Sequence, residues 1–535
     1  MTLPDENILR FHTVGRMFAS GMETFRVTSR KDGRSVAIPI ESGFTLAQHL
    51  FIAGALKGRP LCSGAGRCGL CQVEFATRAP KPLPEETERI SPARLLAGWR
   101  LACKHPPVPD AEVFADCAAD EMMTTLPEPC AGDARAYLGI DLGTTSIEWR
   151  FVRDGLTAQG SLYNPQLGAG SEIMSRLALA RTPSGARALK NAVAGAVRAI
   201  VSALPCLPQR ICLAGNTAMT YLALGLDVSG LAAAPYRVDW PGREVARLSA
   251  DLPGIYIPPL VAPFVGADVC CGLLDLERRA DAPNPPWLLA DLGTNAEFAL
   301  VLPSGEVLVA SVPMGPALEG VGMSQGRLAG PSVAAAFEIV PSGLAPVFFG
   351  GGRDGELRGI SGTGYLSLAA KLRRLGVVEE SGRFAKAPIS PLAAKILEGL
   401  QDDGGERCLH IGDVALYASD VEALLKVKAA FCVAVTLLLD HAGLCFTSLS
   451  EMSLAGALGA HVNGSELEVL GFFPPGGAAK IRAVGNASLA GACLAAQDDE
   501  ARQWLAGLSG RVTQIDVAAA PDFQRLYLEA MSFAP

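Results

Sequence analysis

The sequence predicts a small α+β domain at residues 22–115, followed by a two-lobed α/β body over residues 136–535. Three observations predict it. Strand, turn and helix signals surround a tight run of cysteines before residue 115. Beyond residue 135, strand-like and helix-like segments alternate to the C-terminus, as in α/β proteins. Finally, one apolar segment with a central turn occurs twice. YLGIDLGTTSIEWRFV, from Tyr137, is matched by WLLADLGTNAEFALVL, from Trp287, and the two Asp-Leu-Gly-Thr cores begin 150 residues apart at Asp141 and Asp291. Two related lobes, each opening with a hairpin, give such a repeat. They are expected at residues 136–286 and 287–535.

The small domain reads in order from its N-terminal side. Residues 1–21 show no strong period and read as an arm. Residues 24–29 (TFRVTS) and 35–40 (SVAIPI) read as strands around Asp32-Gly33, a hairpin turn signal. Residues 44–56 have an amphipathic helical pattern with Thr45 as its cap. The cysteine loop follows, then the strand QVEF, a connection rich in proline (Pro80, Pro82, Pro84) and a helix ending near Ala97. LACKHP and AEVFA close the unit near Ala115. Residues 116–135 carry few core signals and read as a linker.

Composition bounds the function classes. The chain has 535 residues, 49% apolar and 19% charged, with net charge −8. No dense Lys/Arg block is present, so nucleic acid is not expected as the main partner. The longest apolar run, residues 429–439, has eleven residues, against about twenty needed to span a bilayer. It reads as a buried helix, and no membrane role is expected. Fourteen cysteines and no visible export signal suggest a reducing, cytoplasmic setting.

Cys62, Cys68 and Cys71 lie within ten residues, and Cys103 follows after thirty-one more. Three thiolates on one tight loop, with a fourth from a distant strand end, can converge on iron. Gly64, Gly66 and Gly69 let the backbone wrap closely and aim N–H groups at sulfur, which tunes potential. A four-cysteine zinc site and free thiols are the alternatives. Zinc prefers two close pairs, whereas here a triplet is joined by a single cysteine. His105 reads as a surface residue or as one supporting the cysteines, and the vicinal Cys270–Cys271 pair reads as small buried residues in a helix.

A Gly-Thr turn after a strand exposes amides that cradle phosphate. An Asp at the strand end can hold Mg²⁺ or orient water. Two copies suit a nucleotide gripped between two lobes. Two Ala/Gly-rich helices, residues 265–277 and 485–498, suit close helix approach at a hinge. GPALEG (residues 315–320) places Glu319 as a candidate near the nucleotide, and GISGTG (residues 359–364) and AGNTAMT (residues 214–220) are further glycine or cap elements.

Taken together, these motifs resemble the actin-like ATPase superfamily of sugar kinases, actin and heat-shock chaperones. The order of first phosphate motif (Asp141 to Thr145), connecting helix, second phosphate motif (Asp291 to Thr294), adenosine motif (Leu454 to Gly459) and second connecting helix is the same. With the N-terminal cysteines, the whole looks like the reductive activators of corrinoid proteins. NPQLGAGSEIMSRL, from Asn164, and GNASLAGA, from Gly485, also look like that family's internal motifs. Ala457 stands where the adenosine motif usually has a second glycine, and the first cysteine gap is five residues rather than the four of plant-type ferredoxins.

The resemblance implies a β-grasp, ferredoxin-like domain and two ribonuclease-H-like lobes. It implies a [2Fe–2S] cluster on Cys62, Cys68, Cys71 and Cys103. ATP and Mg²⁺ are implied at Asp141 and Asp291, with Gly143, Thr144, Thr145, Gly293, Thr294 and Asn295 at the phosphates, Glu319 nearby, and Gly456 and Gly459 at the adenosine. The implied activity is ATP-dependent, one-electron reduction of a corrinoid protein in a methyl-transfer system, from Co(II) to Co(I). Electrons would come from a low-potential ferredoxin, flavodoxin or reductase, and relatives suggest a homodimer. The rival readings are a redox-regulated small-molecule kinase and a non-catalytic actin-like switch with a sensing cluster.

Overall fold

The structure, a computed structural model, describes residues 23–30, 33–56, 61–66, 68–115, 123–125, 135–315, 317, 322–327, 329–349, 357–459 and 462–534. The expected arm, most of the linker and Glu319 lie outside the described residues. Two compact units are present, one comprising residues up to 240 with 244–257, the other residues 241–243 with 258 onward.

In the first unit, β1 (Thr24–Thr28), β2 (Ser35–Pro39), β3 (Gln72–Phe75), β4 (Trp99–Leu101) and β5 (Glu112–Phe114) form a mixed sheet in the order β2-β1-β5-β3-β4. β1 and β5 run parallel, and the other neighbours antiparallel. The helix Leu46–Ile52 buries Leu46, Leu50 and Phe51, and Leu46 and Leu50 join the sheet residues Phe25, Val27, Val73 and Val113 in one core. Thr45 caps this helix as expected. Its hydroxyl accepts from the Gln48 amide, and the Gln48 side chain accepts from the Thr45 amide at 2.8 Å. The reciprocal pairing satisfies two otherwise orphaned donors. The expected helix before Ala97 is two short turns, Pro84–Thr87 and Pro92–Leu96. Proline opens each one, where its missing N–H costs nothing.

The same unit holds a second sheet, built from β6 (Met123–Thr125), β7 (Ala136–Leu142), β8 (Ser146–Arg153), β9 (Leu156–Tyr163), β10 (Arg210–Gly215), β11 (Glu244–Ala246) and β12 (Ile255–Ile257). Its order is β11-β12-β10-β7-β8-β9-β6. Part of the expected linker is therefore an edge strand, paired antiparallel to β9.

The second unit repeats the plan. β13 (Trp287–Leu292), β14 (Asn295–Val301) and β15 (Val307–Pro313) form an antiparallel meander, as β7, β8 and β9 do. Small sheets follow, of β16 (Val333–Val340), β17 (Gly343–Phe348) and β18 (Gly359–Ile360), and of β19 (Leu400–Asp403), β20 (Glu406–Ile411) and β21 (Val414–Tyr417). β22 (Met452–Ala455), β23 (Ile481–Gly485) and β24 (Val512–Gln514) complete the main sheet, ordered β23-β22-β13-β14-β15-β24. β22 runs parallel to β13, as β10 does to β7. The repeat seen in the sequence is thus a repeat of topology.

The apolar run at residues 429–439 lies in the helix Ala418–His441, whose Phe431 meets Phe298 and Phe472 edge-on, each with ring centroids 5.3 Å apart. No described helix is long and apolar enough to cross a membrane. The segment from residue 258, with the helix Ala267–Arg278, belongs to the second unit, whereas the sequence division at residue 286 puts it in the first lobe. The reason is a close contact between helices distant in sequence. This helix packs on the helix Ala487–Gln497 so closely that a Cβ on Gly491 would lie 1.9 Å from the Cys271 carbonyl oxygen. Cys270 and Cys271 are buried there as small residues.

Candidate functional site: a cysteine loop and two glycine-threonine turns

The cysteine loop runs from Leu61 into β3. Ser63 and three glycines, Gly64, Gly66 and Gly69, have φ between 50° and 88°. The repeated left-handed geometry wraps the chain tightly, at little cost for glycine. Cys103, just after β4, is brought in because β3 and β4 pair from Gln72↔Leu101 onward. The four thiols fall into two touching pairs. Cys62 hydrogen-bonds with Cys68, and Cys71 with Cys103. The pairs also sense each other, Cys68 acting on Cys71 and Cys62 on Cys103.

The thiols of Cys68 and Cys71 are pushed up by these bonds and by burial. Cys103 is lowered, chiefly because Cys71 hydrogen-bonds to it; Lys104 and the Gly66 amide act in the same direction. The Leu70 amide donates to Cys68 Sγ at 3.5 Å. Amides therefore do aim at sulfur. Among the described residues no group of three His, Cys, Asp or Glu side chains is arranged to hold a single metal ion. The two thiol pairs are the candidate metal ligands that the loop and Cys103 bring together.

Glu86 holds this arrangement from behind. It is fully buried. Its carboxylate accepts from the Leu83 amide at 2.8 Å, the Leu101 amide at 2.6 Å and His105 Nε2 at 3.0 Å. Leu101 and His105 flank Cys103, so one carboxylate fixes both sides of the fourth cysteine. His105 is buried and supports the cysteines; it is not a surface residue. Glu86 carried no signal in the sequence, being one of several acidic residues in a proline-rich stretch.

In the first glycine-threonine turn, Gly143-Thr144-Thr145 links β7 to β8. All three carbonyls are held. Asn164 Nδ2 donates to Gly143 O at 2.8 Å, Arg176 Nη2 to Thr144 O at 2.7 Å and the Asn164 amide to Thr145 O at 2.8 Å. A planar trans peptide puts its N–H opposite its C=O. Holding the carbonyls on one side turns the following amides to the other, the geometry of an anion nest. Gly143 is required because a Cβ would lie 2.9 Å from Ser146 O. Asp141 faces Glu148 across the hairpin.

In the second turn, Gly293-Thr294 links β13 to Asn295, the first residue of β14. The Gly293 amide donates to Asn295 O at 2.9 Å, and the Met314 amide to Thr294 O at 3.1 Å. Asp291 faces Glu297 across this hairpin. Asp291 also pairs with Ala455 of β22, and a Cβ on the next residue, Gly456, would lie 2.5 Å from Asp291 Oδ1. The structure thus brings Gly456 against Asp291 from 165 positions away in the chain. Gly459 lies on the short helix Gly456–Gly459.

Each aspartate has a glutamate opposite, so Glu148 and Glu297 join the candidate set. In the sequence these glutamates follow their aspartates by seven and six residues, and the unequal spacing hid the correspondence. Asp268, on the first turn of the helix Ala267–Arg278, is a further carboxyl of note, pushed up to about 6 by burial. Asn216 and Asn486 are helix caps, accepting from the Ala218 amide at 3.0 Å and the Leu489 amide at 2.7 Å. GISGTG is also a cap, Ser361 Oγ accepting from the Gly364 amide at 3.1 Å.

Comparison with known proteins supplies the context. Residues 137–279 match the family model described as the RACo middle region, and residues 286–535 that of the C-terminal domain of RACo, the ASKHA domain. A corrinoid activation enzyme, RamQ, of Eubacterium limosum is 26% identical over 420 residues, 73% of this chain and 69% of that protein. A [Co(II) methylated amine-specific corrinoid protein] reductase of Methanosarcina barkeri is 30% identical over 263 residues, 44% of this chain and 43% of that protein. Among solved structures, a reductive activator for corrinoid, iron-sulfur protein superposes with TM-score 0.64 at 21% identity, covering 95% of this chain and 98% of the other.

Proposed function

The chain belongs to the RACo family, and from that premise we propose that it uses ATP to drive one-electron reduction of a corrinoid protein from Co(II) to Co(I). The observation that carries the reading is the joining, in one chain, of two thiol pairs with two Asp-Leu-Gly-Thr hairpins. The N-terminal sheet with its single packed helix supports a β-grasp, ferredoxin-like assignment. A [2Fe–2S] cluster bound by Cys62, Cys68, Cys71 and Cys103 supplies a one-electron carrier, at about −400 mV for the plant type. Co(I) is a strong reductant, and each ~59 mV of uphill transfer costs a factor of ten. A coupled reaction is therefore needed, and ATP is the candidate.

The protein's own groups divide the work. Gly66 and Leu70 amides stabilise charge on sulfur. Glu86 keeps Cys103 in register with Cys71. Asn164 and Arg176 hold the first turn with its amides toward phosphate, while Gly293, Thr294 and Asn295 do so at the second. Asp141 and Asp291 hold Mg²⁺ and orient water, and Gly456 and Gly459 leave room for the adenosine. The partners are a corrinoid protein of a methyl-transfer system and a low-potential one-electron donor.

The test mixes the cluster-loaded protein, a Co(II) corrinoid protein and a low-potential reductant, with and without ATP. The Co(I) absorption band should grow only with ATP. An equal band without ATP would overturn the coupling of nucleotide to electron transfer.

A further inference from the structure

The first phosphate turn and the cysteine loop belong to one compact unit, and a continuous chain of contacts joins them. Arg176 is fully buried on the helix Ile173–Ala180. Its guanidinium donates through Nη2 to Thr144 O at 2.7 Å, through Nε to Gly170 O at 2.8 Å and through Nη1 to Met219 Sδ at 3.4 Å. Thr144 is the centre of the phosphate turn. Gly170 ends a buried strap, residues 164–170, whose first residue, Asn164, holds the other two carbonyls of the same turn.

The far end of the strap meets the cysteine loop. The Ser171 amide donates to Leu61 O at 3.1 Å, and Ser171 Oγ lies 3.4 Å from Ser63 Oγ. Leu61 and Ser63 are the immediate neighbours of Cys62. The strap has little slack. A Cβ on Gly168 would lie 2.2 Å from Leu56 O, and one on Gly170 2.7 Å from Ser175 Cβ. Gln166 Nε2 is tied to Leu189 O at 3.1 Å. A packed element of this kind transmits a displacement instead of absorbing it.

We propose that Arg176 is a positioning residue that couples the first phosphate turn to the cysteine loop, so that nucleotide at the turn and an electron at the four cysteines change each other's equilibrium. The inference rests on the function proposed above. Nucleotide phosphate drawn onto the turn pulls on the Thr144 carbonyl, and Arg176 passes that pull to Gly170, Ser171 and the backbone on either side of Cys62. Small changes in the hydrogen bonds around a metal-bound sulfur alter its potential. Linkage makes the effect reciprocal, so nucleotide affinity must differ between the oxidised and reduced protein by the same factor. Here reduced means one electron added to the cysteine-bound centre, taken from a chemical titrant.

The experiment measures the affinity of a non-hydrolysable ATP analogue by anaerobic calorimetry on the full-length, cluster-loaded protein, oxidised and then reduced by dithionite. Wild type should show a difference of about threefold to tenfold; tenfold is equivalent to ~59 mV in the one-electron midpoint potential. In Arg176→Lys the affinity should fall in both redox states alike, and the difference between them should vanish. Ser171→Ala, at the opposite end of the path, should reduce the difference by at least half; it also serves if the arginine variant does not keep its fold. Equal affinities in wild type, or a full difference retained in both variants, would overturn the coupling. Equal affinities alongside an intact ATP-dependent Co(I) band would overturn the coupling alone, whereas no analogue binding in either state would overturn the proposed function with it.

Discussion

Glu86 shows how much one side chain can fix. Its carboxylate satisfies three donors, and two of them bracket Cys103. Truncation in Glu86→Ala leaves the Leu101 amide and His105 unsatisfied in a buried setting. Each such group costs about 1–3 kcal/mol, so the small domain should lose about 3 kcal/mol or more. The loss should appear as earlier bleaching of the visible cluster spectrum in urea, with Glu86→Gln intermediate. His49 gives a pH prediction. Its Nδ1–H donates to Thr45 O at 2.9 Å while Nε2 accepts from the Glu41 amide at 2.9 Å, so the ring is neutral. Burial holds its pKa below the usual histidine range. The unfolded chain therefore binds a proton that the folded chain refuses. Stability should be full above about pH 6.5 and fall as pH drops below it, by at most about 1.4 kcal/mol per unit. In His49→Gln the fall of Tm below about pH 6.5 should be shallower than in wild type. At this scale the cysteines and Thr45 were legible because spacing and capping are local rules. Glu86 was not, and Asn164 and Arg176 were visible only as members of the NPQLGAGSEIMSRL motif without a role, because the Leu101 amide, the Gly143 carbonyl and the Thr144 carbonyl they serve lie 15, 21 and 32 residues away.

The helix pair Ala267–Arg278 and Ala487–Gln497 depends on the absence of a side chain. A Cβ at Gly491 would lie 1.9 Å from a backbone oxygen, which cannot move aside as a flexible side chain can. Gly491→Ala should therefore cost about 3 kcal/mol, the upper end of overpacking penalties. Gly195 and Gly507 are controls of the same chemistry. Both sit in helices, and a Cβ on either meets nothing within 4 Å. Alanine at either should stabilise by roughly 0.5–1 kcal/mol through helix propensity. Thermal unfolding of the three variants separates the two effects by sign. Elements of this kind were readable from sequence, since small-residue periodicity marks both helices. The meander strands were readable too, each hairpin carrying its own turn. The edge strand Met123–Thr125 escaped because three residues have no period to detect. The contact of the helix Ala267–Arg278 with Gly491 was not readable, because it joins positions more than 200 residues apart.

At the scale of the whole chain the question is whether its two chemistries can be removed one at a time. The cysteine pairs lie within the N-terminal sheet and its loop, while Asp291 sits on β13 of the other compact unit. Each local fold has its own core, so a substitution in one need not unfold the other. Cys68→Ser should remove the visible cluster spectrum and electron transfer while leaving nucleotide binding measurable. Asp291→Ala should abolish nucleotide turnover and leave that spectrum unchanged. Loss of both properties in either variant would show that the halves stand or fall together. Joined to a corrinoid partner, the same independence yields a stronger test. If ATP changes the partner's equilibrium, the partner must change ATP affinity by an equal factor, typically 5- to 150-fold for a coupling of about 1–3 kcal/mol. Analogue affinity measured with and without a Co(II) corrinoid protein should shift by such a factor in wild type. It should also shift in Cys68→Ser, because this linkage is between two binding events and needs no electron to move. A shift absent from wild type would mean that ATP acts on the electron carrier alone, and that the partner is only its acceptor.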